Sequence, residues 1–209
     1  MHRTMSFSHL STVVLLGVWW CTQLASPAVA QDRVRAKVGI QVRSGERTAP
    51  ARTTETVKTG DSLRVYVVPE DNAYVYVVHN DGKTLTLLNA QSANTKVSKG
   101  SPMALPAPEK FYQIDGASDK ESITVICSPT EIRAVASLFS SAPVSQKNWL
   151  SVEKDLLDKS KIDLAQQTDK PFQIAGNVRS MSTDPFMDTL QIFSGKAFVV
   201  KKYDFQVQK

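Results

Sequence analysis

The sequence predicts a mainly β protein, an antiparallel β-sandwich or barrel-like domain with one or two appended α-helices. Three observations carry that expectation: apolar and polar residues alternate in stretch after stretch, turn signals separate the stretches at short intervals, and two amphipathic helical patterns stand side by side late in the chain. A parallel α/β fold needs a helix between most of its strands, and the first six candidate strands have none.

Residues 33–43, RVRAKVGIQVR, place Val34, Ala36, Val38, Ile40 and Val42 on one side and Arg33, Arg35, Lys37, Gln41 and Arg43 on the other. That period of two describes a strand buried on one face. Residues 44–59 are rich in Thr, Arg and Ala and read as an exposed connection. Gly60-Asp61 then turns the chain into a strand whose Leu63, Val65 and Val67 share a face, and the breaker cluster Pro69-Glu70-Asp71-Asn72 ends it. Ala73 opens a hairpin about Asp81-Gly82. A two-residue loop there sets Val78 opposite Leu85 and Tyr76 opposite Leu87, apolar on apolar.

The stretch holding Pro102, Pro106 and Pro108 reads as an extended connection, because proline donates no hydrogen bond to a ladder. Residues 111–114 and 123–127 read as two further strands. Ser128-Pro129-Thr130-Glu131 has the form of a capping box with proline at the first helical position, followed by Ile132, Val135, Ala136 and Phe139 at helical spacing. A second helix is expected over about 147–164, with Trp149, Val152 and Leu156 in one row and Leu150, Leu157 and Leu164 beside it. Strands return at 172–178, 189–193 and 197–207, the last alternating Tyr203, Phe205 and Val207 with Asp204, Gln206 and Gln208.

Ahead of all this, residues 1–30 read as a signal peptide: Arg3 in a short basic start, an apolar run through Trp20, and Ala28-Val29-Ala30 for cleavage. The run is too short for a membrane span, and Trp19 and Trp20 stand where lipidation at Cys21 requires small residues. The expected product, 31–209, is one β-rich domain: a core over 58–129, a helical insertion over 130–165 and returning strands over 172–209. Its localisation is periplasmic or secreted, with no transmembrane segment once the leader is gone. Of 25 Lys and Arg, Arg3 leaves with the leader, so 24 bases face 20 acids for a net +4. So mild a balance does not point to nucleic acid. Cys127 is then the remaining cysteine, which excludes an internal disulfide and, with His79, a Cys/His zinc cluster. No cofactor is implied.

Several of these signals, in their order, resemble one family. Gly60-Asp61 with Leu63 and Val65, then Tyr74, Tyr76 and Val78, Asp81-Gly82, Leu87-Leu88-Asn89, Gly100, and the strand end Ile123 to Pro129 are similar to the bacterial family catalogued as domain of unknown function 4384 (DUF4384). The resemblance covers roughly 58–129, and KKYDFQV near the end looks like a further family-style strand. Where the family commonly has proline before the asparagine, this chain has Leu88. The resemblance implies an exported accessory or interaction domain, and it transfers no catalytic residues.

Candidate chemistry is sparse. His79 is the one imidazole after the leader and so the obvious general base, with Asp81 near it in sequence; at a hairpin end it also reads as an ordinary solvated residue. Cys127 shares parity with Ile123 and Val125 and points inward, as a small hydrophobe. Asp115, Asp119 and Glu121 offer oxygen ligands but lack a full calcium-loop pattern. Tyr66, Tyr112 and Tyr74 are candidates for a sugar-stacking platform. The hairpin HNDGKT lacks the glycine spacing of a phosphate loop. The strongest surface feature is the basic row Arg33, Arg35, Lys37 and Arg43, continued by Arg47 and Arg52, which suits an anionic envelope polymer, phospholipid headgroups or an acidic envelope protein. Such a row also serves to keep an exposed strand edge from pairing. The expected function is a non-enzymatic exported module that binds another envelope or secreted component. An exported hydrolase using His79 is the alternative, and a secreted effector a weaker one.

Overall fold

The computed structural model describes residues 33–90, 95–140, 143–161 and 184–209. In chain order its strands begin with β1 (Val34–Ser44), β2 (Arg47–Pro50), β3 (Thr54–Lys58), β4 (Ser62–Pro69), β5 (Ala73–Asn80) and β6 (Leu85–Leu87). They continue with β7 (Lys96–Val97), β8 (Met103–Leu105), β9 (Tyr112–Gln113), β10 (Lys120–Ser128), β11 (Gln191–Gly195) and β12 (Val199–Gln208). Helices α1 (Arg133–Phe139) and α2 (Gln146–Ser160) lie between β10 and β11. The strands make two sheets, one ordered β11-β1-β4-β8 with β2 and β9 on its margins, the other β3-β12-β10-β5-β6 with β7 beside β5.

Alternation explains how the sheets face each other. Ala36, Val38 and Ile40 of β1 and Leu63, Val65 and Val67 of β4 meet Val75, Val77, Ile123, Val125, Cys127, Tyr203 and Phe205 of the second sheet in one buried cluster. This is the β-sandwich with appended helices that the alternation predicts. All pairings are antiparallel except β3 with β12, which run parallel.

The outer face of the second sheet is covered as well. Tyr76, Val78 and Ile126 pack against Val135 of α1 and against Trp149 and Leu156 of α2. Burying the whole indole of Trp149 contributes about 4 kcal/mol on area alone. The predicted row Trp149, Val152 and Leu156 is the packed one, whereas Leu150 of the neighbouring row is 52% exposed. Leu164 and the strand expected over 172–178 lie outside the described residues.

Four local expectations are corrected. Residues 44–59 are mostly exposed but hold β2 and β3, because their backbone finds ladders on β1 and β12, with Val57 of β3 the apolar side chain that enters the core. The proline-rich stretch likewise contributes β8, a three-residue margin strand paired with β4. In the hairpin, Val78 pairs with Leu87 and Asn80 with Leu85, so the loop has four residues, 81–84, rather than two. The shift is an even number of positions, so every side chain keeps its face. Finally, Ser128 does not cap a helix. It is held in β10 opposite Tyr74, and α1 begins at Arg133 with the Ile132 N–H donating to the Tyr76 hydroxyl at 3.1 Å.

One buried side chain completes the β5 margin. Between β6 and β7 that margin would expose polar backbone, and Asn89 fills the gap. Its Oδ1 accepts from the Val77 N–H at 3.1 Å, its Nδ2 donates to the Val75 carbonyl at 2.8 Å, and the residue is 1% exposed. Removing both bonds leaves two buried backbone groups without partners. We therefore expect Asn89→Ala to lower unfolding free energy by about 2–4 kcal/mol in urea titrations, far more than a surface Asn→Ala change.

Candidate functional site

Because strands leave the core at both ends of the sandwich, polar side chains collect there. At one end, the start of β1, the β4–β5 turn, the chain after β10 and the β11–β12 turn surround a cavity of about 450 Å³. Arg33 and Arg35 line it from β1, Lys196 from the β11–β12 turn, and Asp71 and Asn72 from the β4–β5 turn. Three cations thus face one carboxylate, and Asp71 is itself engaged by Lys99 at 3.2 Å. Arg35 is steadied by Glu70, Nε to Oε2 at 3.2 Å. The Lys196 N–H donates to the Ser160 carbonyl at 3.3 Å, which ties this turn to the last residue of α2.

The basic row predicted from alternation is divided by the fold. Lys37 is exposed midway along β1. Past it, Gly39 lies beneath Leu190 so closely that a Cβ there would come within 2.6 Å of the leucine Cδ2. Arg43, at the far end, sets its guanidinium 4.0 Å from the Phe111 ring centroid. Arg47 and Arg52 line a separate cleft with Glu55, Lys58 and Asp61. Since β4 pairs with one side of β1, and β11 and β2 with the other, its bases do not guard an open edge.

The segment over Gly39 is anchored by a polar knot that alternation does not reveal. Arg64, 8% exposed, donates to Gln41 Oε1 from Nε and Nη2 at 3.2 and 2.8 Å and pairs with Asp184 at 3.5 Å. The Tyr66 hydroxyl donates to the same Asp184 carboxylate. Burial, then that bond, pushes the Tyr66 hydroxyl well up. Tyr66 is therefore a buttress under Phe186, with ring centroids 5.1 Å apart. Tyr74 packs on the helix-covered face and Tyr112 on the inter-sheet side, so the three tyrosines make no shared platform.

At the opposite end His79 faces inward, in line with Val75 and Val77, instead of standing solvated beside the turn. Its partner is Glu121, Nε2 to Oε2 at 3.0 Å, rather than Asp81. Both residues line a smaller cavity of about 150 Å³. A carboxylate there orients the imidazole, as a general base requires. The lining offers no Ser, Thr or Cys hydroxyl or thiol to activate. Cys127 is fully buried and its thiol is pushed up to about 12 by burial, which makes it inert. The expected acidic cluster is dispersed: Asp115 accepts from the Ala117 N–H, Asp119 pairs with Lys209 at 2.9 Å, and Glu121 turns inward. Among the described residues no three His, Cys, Asp or Glu side chains are placed to hold a metal ion.

The hairpin tip has structural work instead. Asp81 accepts from the Lys83 and Thr84 N–H groups at 2.7 and 2.6 Å and from the Thr84 hydroxyl at 2.6 Å, while Gly82 supplies a φ of +81°. Burial pushes the Asp81 carboxyl up, but the bonds from Thr84 and Lys83 and the charge of His79 outweigh it and hold the group below the usual carboxylate range. A carboxyl lowered in the folded state stabilises above its unfolded value and loses that contribution as pH falls through its folded value. Water competes at this solvent-facing loop, so Asp81→Ala should cost about 1 kcal/mol near pH 7. Urea unfolding at about pH 2 should show the wild type and the variant drawing together.

No family model, curated protein or solved structure matches this chain. Among the described residues no helix is long and apolar enough to cross a membrane.

Proposed function

We propose that the protein is an exported, non-catalytic β-sandwich module that holds an anionic group of an envelope polymer or envelope protein at its basic end. The observation that carries this reading is the convergence of Arg33, Lys196 and the Glu70-paired Arg35 on one cavity whose lining carboxylate, Asp71, is already engaged by Lys99. Cations gathered around a concave site attract anions more strongly than the same charges spread over a flat surface. The leader pattern of residues 1–30 supports export, and the resemblance to DUF4384 supports an accessory, binding role over a catalytic one.

Long-chain polyphosphate serves as a probe for the anionic polymer, with uncharged dextran as its control. Calorimetric titration should detect polyphosphate binding that weakens as salt is raised, and no binding of dextran. The double variant Arg33→Glu/Lys196→Glu should bind at least about tenfold more weakly, while Lys110→Glu/Lys120→Glu, the same charge change at exposed positions outside the cavity lining, should change affinity by less than about threefold. Equal losses for both variants would place the attraction in overall charge and overturn the site.

A further inference from the structure

We infer that the cavity at the His79–Glu121 end is a binding site for a neutral single-ring phenol, separate from the anion site at the other end. Four apolar side chains, Leu63, Leu88, Ile114 and Ile123, supply most of its wall, His79 and Glu121 supply the polar corner, and the exposed Gln113 completes the lining. The volume, about 150 Å³, suits one six-membered ring, since apolar cavities of about 150 Å³ take up benzene. Tyr112 closes the side formed by the first sheet, half-buried, and offers an aromatic surface to a ring.

The polar corner selects among rings. Glu121 has a side chain only 10% exposed, and its Oε2 meets His79 Nε2 at 3.0 Å. A carboxylate has about four acceptor positions, so one bond from the imidazole leaves acceptor capacity facing the cavity. An anionic ligand is repelled by that charge. An ammonium brings a full charge and three donors to a mostly apolar lining, which costs more desolvation than placing a single hydroxyl there. A phenol brings one donor, more acidic than an alcohol's, and an apolar ring, which is the inventory the cavity satisfies. The hydrogen bond from a phenolic O–H to a carboxylate belongs to the strong, charge-assisted class.

The test titrates the intact protein with phenol and, separately, with benzene, following side-chain methyl resonances by NMR. Phenol should shift the methyls of Leu63, Ile114 and Ile123 saturably, with affinity at least about tenfold above that of benzene. Glu121→Gln should remove most of that preference and leave benzene binding unchanged. Leu88→Phe, which fills the rim, should weaken both ligands. If phenol leaves the three methyls unmoved, the pair is only an ion pair closing the sandwich and the inference fails. It fails equally if benzene matches phenol in the unmodified protein, a comparison that does not depend on either variant folding.

Discussion

Burial of the β5–β10 pair on both faces is the constraint on which the rest of the structure depends. One face presents Val75, Val77, Val125 and Cys127 to the first sheet, and the other presents Tyr76, Val78 and Ile126 to the helices. Neither layer alone hides both sets. The appended helices therefore complete the core on that face, reaching back over a sheet whose strands are already paired. One polar pair is built into the helix-covered face. The Thr124 hydroxyl donates to Glu153 Oε1 at 2.5 Å, and Lys202 reaches the other oxygen at 3.0 Å. Glu153 is 4% exposed, so losing Lys202 would strand a charge beneath α2.

A core closed on both faces leaves the ends of the sandwich as the places where charge and solvent meet backbone. The two ends differ in character. One gathers Arg33, Arg35 and Lys196 around a roomy cavity, and the other sets His79 and Glu121 at the mouth of a small apolar one. Both are built from residues on strands or in tight turns next to strands, which keeps their geometry fixed by the same packed layers. The polar knot of Arg64, Gln41, Tyr66 and Asp184 lies on the outer face of the first sheet and pins residues 184–190 there. It stabilises the scaffold.

The elements legible in sequence were those whose burial follows chain-local rhythm. β1, β4, β12 and the packed row of α2 all show their buried face as simple alternation or helical spacing. What was not legible depended on distant partners. The capping-box pattern at Ser128 was overridden because β10 still pairs there with Tyr74. The mostly exposed strands β2 and β3 carry little apolar signal beyond Val57 and exist because ladders on β1 and β12 await them. Asn89 looks like a turn residue until the gap in the β5 margin is known. The same holds for the candidate sites. Arg33 and Arg35 were visible as part of a basic row, but Lys196 joins them only through the β11–β12 turn. The inward direction of His79 was implicit in its parity with Val75 and Val77, yet its partner Glu121 lies 42 residues away.

Native-state hydrogen exchange tests the doubly buried pair most directly. The account predicts that amides of Val75, Val77, Val125 and Ile126 exchange last and with a common free energy equal to that of global unfolding, since opening either face exposes both strands. Faster exchange in β5 and β10 than in β1 and β4 would contradict it, because the first sheet would then be the stable unit and the helix-covered pair a peripheral layer.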